Sequence, residues 1–295
     1  MSTELPTRAP PIRRGDPERR ARVLEDERER HRRAGLRHRR TVALSRLAVL
    51  VGALVAWELA SGTIVRTFFI SSPTAVAARL WEWALDGQLW YHSRFTLAAT
   101  FGGYVLGSGA AVVLAWPLGL ARLAYRITEP YFLIAYSVPA VAMGPVFILW
   151  FGIGMTPKVV LAAYFVLFIV FINTVAGIQQ VPTGLLDVTR VMGAGRWETM
   201  RSVIVPSAAP YILAALRITL PAAMIGAVVG EFIASNRGLG FLTRAAASRY
   251  STAGVIGGVV VLGVIVLLMS LLLRPLSRAL RWQPEVRLAG WRVDQ

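Results

Sequence analysis

The sequence predicts an all-α fold, a polytopic membrane helix bundle of about six transmembrane helices with both termini in the cytoplasm. Of its 295 residues, 55% are hydrophobic and only 16% are charged, whereas a soluble domain carries about 25% charged residues. The charged residues cluster in the first 46 positions and between long apolar stretches. A chain of this length cannot hide so much apolar surface in one core, so the surplus is expected to face lipid.

Six apolar stretches are long enough, or nearly so, to cross a bilayer, which takes ~20 mostly apolar residues in a helix. Their approximate bounds are 47–64, 97–120, 131–151, 159–177, 211–233 and 255–273. The third stretch contains Pro139 and Pro145, and we expect both prolines to break it because proline has no N–H to donate within a helix. The pairs Gly103/Gly107 and Gly254/Gly258 have the spacing of closely packed membrane helices.

The basic residues indicate cytoplasmic termini. If six spans alternate from a cytoplasmic N-terminus, the inner segments carry 24 Lys and Arg and the outer segments carry 7. Basic residues are retained on the cytoplasmic side, although charges far from a span steer insertion less. The predicted organisation is a basic N-terminal tail at 1–46, a transmembrane domain at 47–273 with a cytoplasmic connection at 178–210, and a cytoplasmic C-terminal tail at 274–295.

The net charge of +16 does not indicate nucleic-acid binding, because nearly half of it lies in the tail 1–46, with 14 Arg against 7 Asp and Glu. Such an Arg/Glu-rich tail is either solvated or rests on anionic lipid headgroups. The chain has no cysteine, which excludes disulfides, thiolate metal sites and cysteine nucleophiles. We predict no cofactor and no metal site.

The outer segment 66–93 is expected to contain a helix lying at the membrane interface. Ser72, Pro73 and Thr74 are typical of a helix start, with Thr74 as a candidate cap. Amphipathic rings favour the interface, and this segment supplies four of them: Trp81, Trp83, Trp90 and Tyr91.

The connection 178–210 differs from the apolar stretches beside it. We expect Thr183 to cap a helix that ends near Met192, residues 193–195 to break it, and a second helix at 196–204 to end before Pro206. Leu185, Val188 and Met192 share one face of the first helix. Such an element can dock on a partner, with three arginines to set the register: Arg190, Arg196 and Arg201.

The spacing within this connection resembles that of a known family. Asp187-Val188-Thr189 is followed by three residues, Gly193, nine residues, and then Val203-Ile204-Val205-Pro206. Permeases of ABC importers carry Glu-Ala-Ala, three residues, Gly, nine residues and Ile-x-Leu-Pro. In that family the element is the coupling helix, seated in a groove of the ATPase subunit. The resemblance implies an ATPase-coupling role for Asp187, Val188, Thr189, Gly193, Ala194, Val203 and Pro206.

Further motifs look like the nitrate, sulfonate and taurine branch of these permeases. They begin at Trp57, Ser72, Ile148, Pro206 and Arg237, and together they cover about residues 56–273. The resemblance implies the fold of a type I importer permease and the transport of a small, anionic solute. The implied partners are an ABC ATPase dimer, an extracytoplasmic solute-binding protein, a second permease copy as a homodimer, and membrane lipid.

The chain is not predicted to be an enzyme. A phosphate-binding loop ends in Gly-Lys-Ser/Thr, but the one lysine, Lys158, lies between Pro157 and Val159. ATP hydrolysis is therefore expected in a separate subunit. Two alternatives stay open at this point: an ion-coupled secondary transporter, and an ABC permease for a vitamin precursor or another small solute.

Two charged residues of the fifth apolar stretch are candidates for the substrate path. Glu231 is an acidic residue at the end of that stretch, where an intramembrane acid is a functional candidate and a satisfied structural carboxylate is an equally good interpretation. Arg217 can either contact an anionic substrate or extend its side chain towards the cytoplasm.

Overall fold

The computed structural model describes residues 41–64 and 66–272, and their regular elements are helices. The first of two compact units ends at Ile64 and contains α1, Thr41–Ala60. The second unit contains α2 Thr67–Ile70, α3 Pro73–Leu85, α4 Gln88–Leu120, α5 Arg122–Ser137, α6 Met143–Phe151, α7 Thr156–Gln179, α8 Thr183–Val191, α9 Arg196–Thr199, α10 Val205–Ile233, α11 Leu239–Ser248 and α12 Thr252–Leu272. Residues 1–40 of the N-terminal tail and the whole C-terminal tail lie outside the described residues.

Among the described residues, the expected number of about six spans is confirmed. Five helical segments are long and apolar enough to cross a membrane: α1, α4, α7, Arg196–Ile233 and α12. The sixth is the pair α5 and α6 with the short 3₁₀ turn Ala140–Ala142 between them, and the two halves of this pair are bent by 74°.

The break in this pair lies at Pro139 alone. Val138 is extended, at φ −66° and ψ 125°, a conformation that a following proline favours. The expectation that Pro145 also breaks the span is wrong. Pro145 lies in the first turn of α6, where the missing N–H has no partner to lose.

The core of the second unit forms where α4, α7 and α10 pack together. Its buried residues are mostly small or β-branched, such as Ala111, Val166, Val170 and Ala223, with Phe171 among them. Small side chains let membrane helices approach closely.

The predicted packing role of both glycine pairs is confirmed. A Cβ on Gly103 would lie 2.3 Å from the Cβ of Ala162, and one on Gly107 would lie 2.5 Å from the carbonyl oxygen of Ala163. On α12, a Cβ on Gly258 would lie 2.0 Å from Oγ1 of Thr243 in α11.

The segment before α4 differs from its prediction in two details. Ser72, not Thr74, caps α3, because its Oγ accepts the N–H of Ala75 at 3.2 Å. Trp83 is not an interfacial ring. It is buried in a cluster with residues of α11 and α12, while Trp81 and Trp90 are exposed as expected.

The connection between α7 and α10 also corrects two expectations. Thr183 is the first residue of α8 and makes no capping bond, since Pro182 holds the cap position. The second helix does not end before Pro206, because Arg196–Ile233 is one continuous helical segment. Its turn at Met200–Ile204 is a π-helix, in which the N–H of Val205 bonds the carbonyl of Met200. The wider turn accommodates the proline, whose ring would otherwise clash with the carbonyl four residues earlier.

Candidate functional site

The connection α8–α9 exposes its apolar face. No residue of α8 or α9 is buried, and Val188 and Met192 are 54% and 79% exposed. The side chains of Leu185, Val188 and Met192 are therefore all exposed. A contiguous exposed apolar patch is typical of a surface that contacts a partner.

Gly193 ends α8 in a left-handed conformation, at φ +75°. The N–H of Gly193 bonds the carbonyl of Arg190, and the N–H of Ala194 bonds the carbonyl of Thr189, both at 3.0 Å. This pair of bonds is a Schellman motif, which favours glycine because other residues are strained at positive φ. A Cβ at Gly193 would meet nothing within 4 Å, so backbone conformation, not space, requires glycine here.

The other residues of the signature spacing surround this turn. Asp187 forms an exposed ion pair with Arg190 at 3.1 Å, and the Thr189 hydroxyl donates to the carbonyl of Leu186 at 2.8 Å. Val203 is half-buried in the π turn and Pro206 is exposed in the first turn of α10. A cavity of about 580 Å³ separates α8 from the start of the following helical segment. The two short helices are thus not closely packed on one another.

Glu231 is wholly buried near the opposite end of α10, at 0% exposure. Its carboxylate accepts the hydroxyl of Thr96 at 2.9 and 3.0 Å and the N–H of Gly240 at 2.7 Å. A buried carboxylate is tolerated when hydrogen bonds replace its hydration. Both oxygens of Glu231 are therefore engaged within the bundle.

Three consecutive backbone amides at the start of α11 are bound by side chains from other helices. The N–H of Gly238 donates to Nδ1 of His92 at 3.1 Å, and the N–H of Leu239 donates to Oγ1 of Thr96 at 2.8 Å. The N–H of Gly240 donates to Glu231. These amides have no partner within their own helix, so α4 and α10 together cap α11.

His92 and Thr96 were not among the predicted site residues. Their spacing of four residues places them on one face of α4, and this is the only local signal that they act together. The partners lie 135 to 146 residues away in the chain, and no sequence pattern connects them.

Arg217 is exposed on α10, and its side chain forms no hydrogen bond or ion pair with the described residues. Tyr211, whose hydroxyl bonds Gln180 at the end of α7, lies six residues before it. That separation is about 9 Å along the axis, since a helix rises about 1.5 Å per residue. Arg217 therefore lies further along α10 than this contact, and the structure does not bring it near Glu231, which is fourteen residues further along the same helix.

Together these features define a polytopic membrane protein of about six spans with an exposed amphipathic connection before its fifth span. Residues 103–282 match the family described as the binding-protein-dependent transport system inner membrane component, and the chain belongs to this family. It is accordingly a multi-pass protein of the plasma membrane.

Individual relatives agree with this family and with the nitrate, sulfonate and taurine branch. The riboflavin transport system permease protein RibX of Chloroflexus aurantiacus is 36% identical over 73% of this chain and 81% of its own length. The taurine transport system permease protein TauC of Escherichia coli K12 is 33% identical, over 84% of this chain and 91% of its own.

The fold also matches that of a solved transporter. A chain of the MetNI methionine ABC transporter in an inward-facing conformation superposes with a TM-score of 0.54 at 24% identity. The match covers 67% of this chain and 96% of that one. The predicted fold of an ABC importer permease is confirmed, and the relatives are permease subunits of transporters, not enzymes.

Proposed function

We propose that this chain forms the translocation path of an ATP-driven importer and that α8 and α9 couple the path to a separate ATPase dimer. The exposed apolar face of α8, in a chain of this family, is the observation that carries the proposal. In water this face would leave several large apolar side chains uncovered, so a groove on a partner is its natural environment.

In this proposal each residue of the signature has a mechanical role. Val188 inserts into the ATPase groove, and Asp187 with Arg190 sets the register at its rim. Thr189, Gly193 and Ala194 form the bonds that end α8 and turn the chain. Val203 and Pro206 belong to the continuous segment Arg196–Ile233, along which a displacement of the connection reaches the far end of the bundle.

The remaining partners follow from the predicted orientation in the membrane, in which both termini and α8 lie on the cytoplasmic side. The end of the bundle opposite to α8, at 66–93 and 235–252, then receives an extracytoplasmic solute-binding protein. Two copies of the permease enclose one path between them. Closure of the ATPase dimer moves both connections, and the path alternates between outward and inward access.

We infer that the exposed stripe of α10 lines this path. Ala214, Ile218, Ile225 and Phe232 lie along one exposed side of the helix, with Arg217 beside them, and the opposite side is buried in the bundle. A cation facing lipid inside a span is costly, whereas a water-filled path accommodates it. Arg217 then contacts the solute, and Glu231 shapes the outer part of the path wall through its bonds to α4 and α11.

The proposed cargo is a small anionic solute of the sulfonate, taurine or nitrate type. An exposed Arg217 and the likeness to TauC support this class. A vitamin or vitamin precursor is the second candidate, because RibX, which is named for riboflavin transport, is similar to this chain over most of its length.

Substitution of Gly193 tests the coupling role. Gly193→Val is expected to lower stimulation of the ATPase by the permease at least tenfold, since a β-branched residue at positive φ is strained and the motif that ends α8 is lost. Gly193→Asn, which tolerates this conformation, should keep most of the stimulation. The measurement is ATP hydrolysis by the assembled transporter in proteoliposomes.

The control for this series is Gly195→Val. Gly195 has an ordinary extended backbone, at φ −70° and ψ 165°, and open space around its Cβ position. Equal stimulation by the wild type, Gly193→Val and Gly195→Val, with equal membrane insertion, would contradict the coupling role.

A further inference from the structure

Four cationic side chains surround the turn between α10 and α11, at the end of the bundle opposite to α8. They are Arg94, Lys158, Arg237 and Arg244. Two of them are fixed by the turn itself. Lys158, only 5% exposed, donates from Nζ to Oγ of Ser235 and to the carbonyl of Arg237. Arg244 donates from Nη2 to the carbonyl of Ser235 at 2.9 Å.

The other two cations are exposed and share one aromatic ring. The guanidinium carbons of Arg94 and Arg237 lie 5.0 and 5.2 Å from the ring centre of Phe95. Arg94 also lies 4.7 Å from the ring centre of Tyr91. The two guanidinium groups are thus within about 10 Å of each other.

The ion pairs Arg79–Glu82 and Arg190–Asp187 do not involve this cluster. Glu231 is the acid closest in sequence to the turn, and its oxygens are bound to Thr96 and Gly240. The charge of Glu231 also attracts that of Lys158, so one acid stands against four cations and the cluster keeps a net positive charge.

We propose that this cluster is a receiving site for a small oxyanion, a sulfonate, carboxylate or phosphate group, in which Arg94 and Arg237 make the direct contacts. Guanidinium groups bind such oxyanions through paired N–H bonds. The rings of Tyr91 and Phe95 hold the two side chains in place before the anion arrives, which lowers the entropic cost of binding. Lys158 and Arg244 act as positioning residues that hold the turn and add positive potential.

This inference rests on the proposed function, because the solute of an importer enters at the end away from the ATPase. It names the charge class of that solute and the residues that first meet it. A site with net positive charge at an entrance also raises the local concentration of anions and their rate of entry.

The test uses the full-length permease in phosphatidylcholine nanodiscs, titrated with trifluoromethanesulfonate and followed by fluorine NMR. Arg94→Gln and Arg237→Gln are each expected to weaken binding about tenfold, since each removes one charged pair of donors, and the double variant should abolish it. Arg237→Lys should retain part of the affinity. The neutral trifluoroacetamide should show no binding that depends on these residues.

Arg249→Gln is the matched control, because it removes one exposed charge at the far end of α11 without touching Phe95. Equal weakening by Arg249→Gln and Arg237→Gln would overturn the proposal, since general surface charge would then account for binding. Loss of wild-type binding when phosphatidylglycerol replaces phosphatidylcholine would also overturn it, by assigning the cluster to a lipid headgroup.

The two proposals can fail separately. Absence of anion binding leaves the ATPase result for Gly193 unchanged, because that measurement does not involve the cluster. Normal ATPase coupling in Gly193→Val would remove the importer mechanism even if the anion binds.

Discussion

Glu231 of α10 lies directly against Gly238 at the start of α11. Gly238 has φ +111°, and a Cβ there would lie 2.0 Å from Oε1 of Glu231. Two physical requirements thus coincide at one residue: a backbone conformation that favours glycine and a carboxylate that leaves no room for a side chain. The hydrogen bonds that cap the start of α11 therefore depend on glycine at position 238.

Gly238→Ala is expected to destabilise the protein by about 2–4 kcal/mol, from backbone strain and from displacement of the Glu231 carboxylate. Thermal unfolding of the purified protein in detergent measures this change. Gly87→Ala is the control for a positive φ in open space, since Gly87 is left-handed at φ +71° and has no neighbour near its Cβ position, whereas Gly238, at φ +111° and ψ 163°, is in a region essentially limited to glycine. If the two variants unfold at the same temperature, the contact with Glu231 contributes nothing.

At the scale of elements, the packing of α4 against α7 organises the bundle. Gly103 and Gly107 place the two backbones in direct contact, so neither helix can shift aside when a side chain is added between them. In lipid, close packing and dispersion replace the hydrophobic effect as the source of helix association.

Gly107→Ala should therefore lower the unfolding temperature, by an amount that corresponds to about 1–3 kcal/mol. Gly109→Ala, on the same helix but facing open space, should have no effect or a slightly stabilising one, because alanine favours a helix over glycine by up to about 1 kcal/mol. Thermal unfolding of both variants in the same detergent gives the comparison. Equal destabilisation by the two variants would mean that the close contact of α4 with α7 is not the cause of the effect.

At the scale of the whole molecule, orientation in the membrane decides which partner meets which end. Because the chain contains no cysteine, single cysteines introduced at exposed loop positions report the side of the membrane directly. Gly195 beside α9 and Ser248 at the end of α11 are both exposed and lie at opposite ends of the bundle.

We predict that a membrane-impermeant maleimide labels Ser248→Cys in intact spheroplasts and labels Gly195→Cys only after permeabilisation. The reason is the excess of basic residues on the inner segments, which are retained in the cytoplasm. The reverse pattern would place α8 and α9 outside the cell and exclude coupling to a cytoplasmic ATPase.

The sequence by itself determined the spans and the position of the exposed connection. A membrane span can be predicted from one stretch of sequence, because a helix in lipid makes its backbone hydrogen bonds within itself and exposes apolar side chains. The role of Gly193 at the end of α8 could be predicted for the same reason, because it acts within its own turn. Its spacing to Pro206 resembles that of the family's signature.

The tertiary structure decided what depends on contacts between distant segments. Trp83 looked interfacial but is buried, because α11 and α12 cover it. Pro206 looked like a helix end, but a π turn carries the helix through it. Glu231 could have been a substrate contact or a structural acid by sequence, and only the folded bundle places Thr96 and Gly240 against its oxygens, because hydrogen-bond partners more than a hundred residues apart leave no local pattern.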